Sequence, residues 1–214
     1  MIKVDFFTFN PLAENTYVLS NENRQALIID PGCYFTEEEN TLKNFITQHN
    51  LKPVQLLNTH CHLDHVFGNN WVHKNYGLEL FIHEGEQTVL EFAPSAGNMY
   101  GLGFTNYKGN LHFVKEGDEI LLGDDVLKVL FTPGHSPASI CFYCEAQGFV
   151  IGGDVLFNES IGRFDLPGGN EQTLYKSIRE KLFTLPDKTI VYPGHGDATT
   201  IGHEKKFNPY VALN

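Results

Sequence analysis

Six consecutive positions, His60 to His65, read HCHLDH and hold three imidazoles and one carboxylate, in a chain with ten histidines among 214 residues. Burying several polar rings costs free energy unless each finds a partner. Such a stretch is therefore either a solvated turn or a ligand site, and three other places supply partners for the second alternative. VLKVLFTPGHS and KTIVYPGHG each run a hydrophobic strand into Pro-Gly-His and leave His135 and His195 just past strand ends, while Asp154 follows the apolar run FVIGG. Pro and Gly stop a ladder and turn the chain, so these side chains are expected at the rim of a sheet. His60 and His62 are two apart where a strand runs out, which points both rings to one side; Asp64 and His65 come after the turn begins and point elsewhere. Imidazole and carboxylate without a paired thiolate suit zinc, iron or manganese rather than a structural Cys-rich zinc site. Seven residues, His60, His62, Asp64, His65, His135, Asp154 and His195, match the ligand count of two divalent ions about 3.5–4 Å apart that share one aspartate.

The elements that position them follow from periodicity. IKVDFFT, NTYVLS and RQALIID read as a meander of strands. Thr36 followed by Glu39 is a capping-box pattern, and Leu42, Phe45, Ile46 and His49 share one face of a helix over about 36–49. LKPVQLLNT is a strand that delivers the chain into the histidine cluster. A short helix over 68–75, a strand ELFIH and a helix near 84–92 come next, and the Gly-, Asn- and Tyr-rich stretch 93–110 reads as a long loop. Strands DEILL, VLKVLFT, SICFYCE and GFVIGGD precede a helix over 171–183 with Asn170 as N-cap; KTIVYPG is a last strand, and a short helix follows from 200. Two sets of strands, each followed by helices, suggest two sheets packed face to face with helices outside. No linker rich in Pro, Gly or charge divides the chain, so one domain over 1–214 is expected.

Fifteen Lys and Arg against 26 Asp and Glu give a formal charge of −11, which opposes binding to phosphate backbones and anionic membranes. Neither a nucleic acid nor a membrane is expected as a partner, and the sequence is silent on oligomeric state. No apolar run approaches the roughly 20 residues of a membrane span, and MIKVDFFTFN lacks the features of a signal peptide, so a cytoplasmic location is expected. Cys33, Cys61, Cys141 and Cys144 are read as buried thiols rather than disulfides, with the pair in CFYC facing opposite sides of a strand.

THCHLDH, followed in order by TPGHS, GGD and YPGHG, resembles the metallo-β-lactamase superfamily over nearly the whole chain. The resemblance implies a four-layer αββα sandwich of two mixed sheets with helices outside, an α/β fold with the site at one edge between the sheets. It also implies that His60, His62 and His135 form a first ion site and Asp64, His65 and His195 a second, with Asp154 bridging. True β-lactamases tend to have Cys at the place of Asp154 and no ligand at the place of His65. The set found here is more similar to glyoxalase II and its short bacterial relatives, and SIGRFDLPGGN resembles the segment after the bridging Asp in that branch. Full-length glyoxalase II continues into a helical domain that grips glutathione, whereas nineteen residues follow His195 here, since 214 − 195 = 19. In this superfamily an Asp matching Asp30 lies behind the ligands, where it orients an imidazole; IIDPG reads equally well as the start of a turn.

The expected activity is hydrolysis of a small-molecule thioester such as a hydroxyacylglutathione. Water held between two ions, zinc in the first place with iron or manganese as alternatives, loses a proton near neutral pH and attacks the acyl carbon. Asp64 and Asp154 are the candidate catalytic carboxylates. A thiol with a pKa near 8.5 leaves as thiolate, whereas an amine needs a proton donor that the sequence does not offer. A mononuclear-iron persulfide dioxygenase and a lactone or ester hydrolase are the alternatives on this fold. Arg163 is a candidate anchor for an anionic substrate or a partner of Asp165, and Tyr100, Phe104 and Tyr107 are candidates for an aromatic lid. His49, His73, His83, His112 and His203 are read as ordinary structural or surface residues.

Overall fold

A computed structural model of the chain describes residues 1–212. The meander forms as β1 (Lys3–Phe9), β2 (Glu14–Ser20) and β3 (Gln25–Ile29), antiparallel in turn. Helix α1 (Thr36–Gln48) carries the chain back to β4 (Lys52–Leu57), parallel to β3. The one-turn helix α2 (Leu63–Val66) and α3 (Asn69–Tyr76) lead to β5 (Leu80–Ile82), and α4 (Gln87–Met99) leads to β6 (Leu111–Phe113). These six strands lie in the order β1-β2-β3-β4-β5-β6.

The second sheet contains β7 (Glu119–Leu122), β8 (Asp125–Phe131), β9 (Ile140–Cys144) and β10 (Phe149–Gly153). A two-stranded ribbon of β11 (Leu156–Phe157) and β12 (Ser160–Ile161) follows, then α5 (Glu171–Glu180), β13 (Ile190–Pro193), β14 (Thr199–Thr200) and α6 (Ile201–Phe207). Its strand order is β14-β13-β10-β9-β8-β7, with β10 and β13 parallel and the other pairs antiparallel.

Both sheets are mixed, and strand parity divides their side chains between layers. Tyr17, Leu19, Leu27, Ile29 and Leu57 meet Leu127, Val129, Phe142 and Ile151 between the sheets. The alternate residues Val18, Ile28 and Leu56 pack outward with Leu42, Ile46, Val66 and Val72 from helices α1 to α3. On the far side Val150 and Val191 pack with Leu174, Ile178 and Ile201 of α5 and α6. This is the expected αββα sandwich. Cys141 and Cys144 fall in different layers, as their spacing requires, and all four thiols are free and buried. Among the described residues no helix is long and apolar enough to cross a membrane.

Three local expectations need correction. The N-cap of α1 is Phe35, one residue earlier than the Thr36 pattern, because Glu38 accepts the backbone N–H groups of Tyr34 and Phe35 at 2.8 and 3.1 Å. The predicted loop 93–110 is helical as far as Met99, although Pro94 cannot donate to the carbonyl of Leu90. The side-chain amide of Asn106 donates to that carbonyl instead, at 2.7 Å. The helix predicted to reach 183 ends at Glu180, followed by a 3-10 turn over Leu182–Thr184.

Candidate metal centre

The seven predicted side chains arrive from separate elements. β4 ends at Leu57, so His60 and His62 fall on the connection into α2, which carries Asp64 and His65; His135 follows β8, Asp154 follows β10 and His195 follows β13. His60, His62 and His135 form one group whose ligand atoms lie within 4.8 Å of one another, and Asp64, His65 and His195 form a second. Asp154 faces both: Oδ2 lies 3.5 Å from His135 Nε2 and 3.4 Å from His195 Nε2, and Oδ1 lies 3.5 Å from His65 Nε2. Asp64 Oδ2 is 3.2 Å from His195 Nε2.

What stands behind each ring fixes its tautomer. His135 Nδ1 donates to the carbonyl of Arg163 at 2.7 Å and His195 Nδ1 to that of Ala13 at 3.0 Å. His65 Nδ1 lies 3.1 Å from Asp30 Oδ2. Thr59 Oγ1 gives its proton to Asp30 Oδ2 at 2.6 Å, so it accepts from His60 Nδ1 at 3.1 Å. In all four rings the proton sits on Nδ1 in the neutral form, and a bare Nε2 faces the centre. His62 is the exception and turns Nδ1 inward, 2.8 Å from His135 Nε2.

That arrangement fits cations. The Nε2 atoms of His60 and His135 approach to 3.2 Å although neither neutral ring has a proton there to donate. Among the described residues buried His65 Nε2 and Asp154 Oδ1, 3.5 Å apart, make no hydrogen bond of ordinary length, and a cation between them would satisfy both. A third combination, Asp30 with His60 and His65, is no equivalent site, because Asp30 is occupied from behind by Thr59 and by the Nδ1 side of His65. Asp30, in the left-handed region at φ 49°, thus serves as the orienting carboxylate rather than only as a turn residue.

The two groups differ electrostatically. Burial, reinforced by the neighbouring rings, holds His60 well below the usual imidazole range; burial and His135 bring His62 down to about 3, and burial lowers His135. Burial also disfavours charge on His65 and His195, but here the carboxylates win. Asp154 and Asp64 raise His65 well above its ordinary value and hold His195 up at about 10. In turn, against the penalty of burial, His65 and His195 lower both Asp64 and Asp154.

Several supporting residues carried no sequence signal of this role. Asn15 holds the His195 turn, its amide donating to the carbonyls of Pro193 and Gly196 at 3.1 and 2.9 Å and its backbone N–H to that of Gly194 at 2.7 Å. Gly194 supplies room rather than turning freedom, since a Cβ there would overlap Asp154 Oδ1. Glu14 lies fully buried with one oxygen 3.9 Å from His65 Nδ1.

The predicted substrate contacts fare differently. Tyr107 is not part of a lid: it is buried in the helix-side core, its hydroxyl donating to the carbonyl of Asn110 at 2.7 Å and accepting from Leu80 N–H at 3.1 Å. Phe104 packs edge-on against Phe67 in the same layer. Tyr100 is exposed at the C-terminus of α4. The Arg163 guanidinium makes a bidentate pair with Asp165 at 2.8 and 2.9 Å, while its carbonyl holds His135. The five other histidines lie outside the centre, as expected. Phe157, not singled out in the sequence, sets its ring edge-on to that of His195, centroids 6.2 Å apart.

The chain matches the family model "Metallo-beta-lactamase superfamily" over residues 9–195. It is 37% identical to the probable metallo-hydrolase YqgX of Bacillus subtilis over 203 residues, covering 94% of this chain and 93% of that one. It is 33% identical to the hydroxyacylglutathione hydrolase GloC of Haemophilus influenzae over 212 residues, covering 98% of each. Among solved structures it is similar to the B3 metallo-β-lactamase BLEG-1, with a TM-score of 0.90 and 34% identity over 99% of this chain and 100% of that one. It is likewise similar to TTHA1623 in a di-iron-bound form, with a TM-score of 0.87 and 34% identity over 96% and 99%. With its histidines and aspartates gathered at one edge of the two sheets, the chain belongs to the metallo-β-lactamase superfamily and is a metal-dependent hydrolase of that fold.

Proposed function

We propose that the protein hydrolyses a small thioester of the hydroxyacylglutathione class at a centre of two divalent ions, zinc before iron or manganese. His60, His62 and His135 would hold one ion and Asp64, His65 and His195 the other, with Asp154 placed to serve both. The observation that carries this reading is the position of Asp154, with carboxylate oxygens near both histidine groups. Ions so held supply Lewis acidity and bring the acidity of water toward neutrality.

The chain's own residues supply the rest. Asp30, Thr59 and the carbonyls of Arg163 and Ala13 keep four imidazoles in the ligating tautomer, so the centre is organised before substrate arrives. Glu14 and Asp30 stand on the Nδ1 side of His65, away from the ligand atoms, so neither is placed to protonate a departing amine. A thiolate departs without that proton. The relative GloC, matched over 98% of its length, supports this substrate class for a chain of this size.

The likeness to BLEG-1 favours a β-lactam as the second reading. The test is metal analysis of the purified protein with S-lactoylglutathione, the same acyl group on a short thiol, a lactone and a chromogenic β-lactam assayed in parallel. Thioester turnover with two ions per chain is expected. Fast β-lactam turnover without thioester activity would sink the proposal, and oxygen uptake with a persulfide, supported by iron alone, would replace it with the dioxygenase.

A further inference from the structure

Glu86 closes the 3-10 turn Glu84–Glu86 that enters α4, and it is completely buried. A buried carboxylate is costly unless its lone pairs are satisfied. Among the described residues those of Glu86 are satisfied from two segments. Oε2 accepts from Cys61 N–H at 2.8 Å, Oε1 accepts from Ala138 N–H at 2.8 Å, and the Ser136 hydroxyl lies 2.7 and 2.8 Å from the two oxygens. Cys61 sits between His60 and His62; Ser136 directly follows His135. One carboxylate therefore bridges the two segments that carry all three members of the first histidine group. The turn itself is pressed against the same segment, since a Cβ at Gly85 would stand 2.6 Å from that of Ala138.

The second group is held by other means: Asp30 behind His65, and Ala13 and Asn15 around His195. None of the hydrogen bonds of Glu86 reaches those residues.

We propose that Glu86 is a positioning residue for the His60/His62/His135 group, a clamp that sets the separation of two histidine-bearing segments and tunes the affinity of one ion independently of the other. The proposal rests on the two-ion reading above. Glu86 touches no ligand atom, so it acts through the backbone of Cys61 and Ala138. An amide in its place cannot serve both: whichever way Gln faces, an NH2 group confronts one of the two backbone N–H groups.

The test titrates zinc against a chromophoric chelator and follows cobalt by its visible absorption, with no substrate present. It uses the full chain and two backgrounds, His195→Ala to leave the first group and His62→Ala to leave the second. Glu86→Gln should weaken the ion in the first background about 10–100-fold, the scale for residues that hold a ligand from behind, and shift the cobalt spectrum there. It should leave the second background unchanged. Ser136→Ala, which removes one donor and keeps both backbone contacts, should give a smaller loss confined to the same background, and it carries the test alone if Glu86→Gln does not fold. Equal weakening in both backgrounds, or a lower melting temperature of the metal-free protein with both affinities intact, overturns the proposal. If the unaltered chain takes up fewer than two ions, the two-ion reading fails and this proposal with it; two ions with no selective effect sink this proposal alone.

Discussion

The Nε2 atoms of His60 and His135 stand 3.2 Å apart, each bare because the Nδ1 of its ring donates elsewhere, to Thr59 Oγ1 and to the carbonyl of Arg163. Two lone pairs aimed at one point repel unless a cation lies between them. The convergence thus points to a cation, and an ion that binds the native state stabilises it by mass action. Zinc should raise the melting temperature, and uptake should end near two ions per chain. Asp154→Ala should reduce occupancy of both groups, whereas Asp64→Ala should affect mainly the second. Two ions and full turnover retained in Asp154→Ala would show that this carboxylate does not bridge.

Thr59→Val keeps the shape of a fully buried side chain and deletes the hydroxyl between Asp30 and His60. His60 then loses the acceptor that keeps its proton on Nδ1. Metal affinity should fall about 10–100-fold, with the first ion hit harder in calorimetric titration. Undiminished affinity would mean that the ring holds its tautomer without Thr59.

The two groups should take up ions with opposite proton signatures. Asp154 and Asp64 raise His65 and hold His195 up at about 10, so filling their group should displace protons and its affinity should climb with pH. The first group, with His62 near 3, is neutral at pH 7 and releases none. Calorimetry in buffers of different ionisation enthalpy separates the two. Metal-free stability follows the same signs. The His195 contribution is complete below the unfolded pKa of about 6.5 and fades as pH rises through about 10. The contribution of neutral His62 is complete above about 6.5 and fades as pH falls toward about 3. Affinity at both groups with no pH dependence would contradict this assignment of charge.

Tyr107→Phe separates a core role from a lid role. Removing the hydroxyl leaves Leu80 N–H without its acceptor and the Asn110 carbonyl without its donor, a loss of about 1–3 kcal/mol of stability. Denaturant unfolding should show that loss while KM stays unchanged. A rise in KM at constant stability would restore the lid.

The residues that converge on the candidate centre were legible because chemistry restricts their types so tightly: HCHLDH, the two Pro-Gly-His ends and Gly-Gly-Asp announce themselves in one dimension. Their supports did not. Asp30, 35 positions before His65, was placed only through the family resemblance, and Thr59 or Asn15 could serve any strand end. Nothing in EGEQ marks Glu86, although it is the most enclosed residue of that turn. The continuation of α4 past Pro94 was hidden for a related reason. Local rules end a helix at proline, and only Asn106, twelve residues on, supplies the missing donor. Tyr107 was misread because an aromatic in a Gly- and Asn-rich stretch looks exposed until its hydroxyl is seen under β5.

The hold of Ala13 and Asn15 on the His195 turn has a consequence for the order of events on the ribosome. The last residue of the first histidine group, His135, is made 60 residues before His195. At about 5–20 residues per second that interval is roughly 3–12 s. During it a growing chain already contains Ala13 and Asn15, which will bracket the turn, and five of the seven candidate ligand residues, but not yet His195. The second group therefore stays incomplete until the tail of the chain reaches back across the sandwich to its first hairpin, and its ion must wait for that contact.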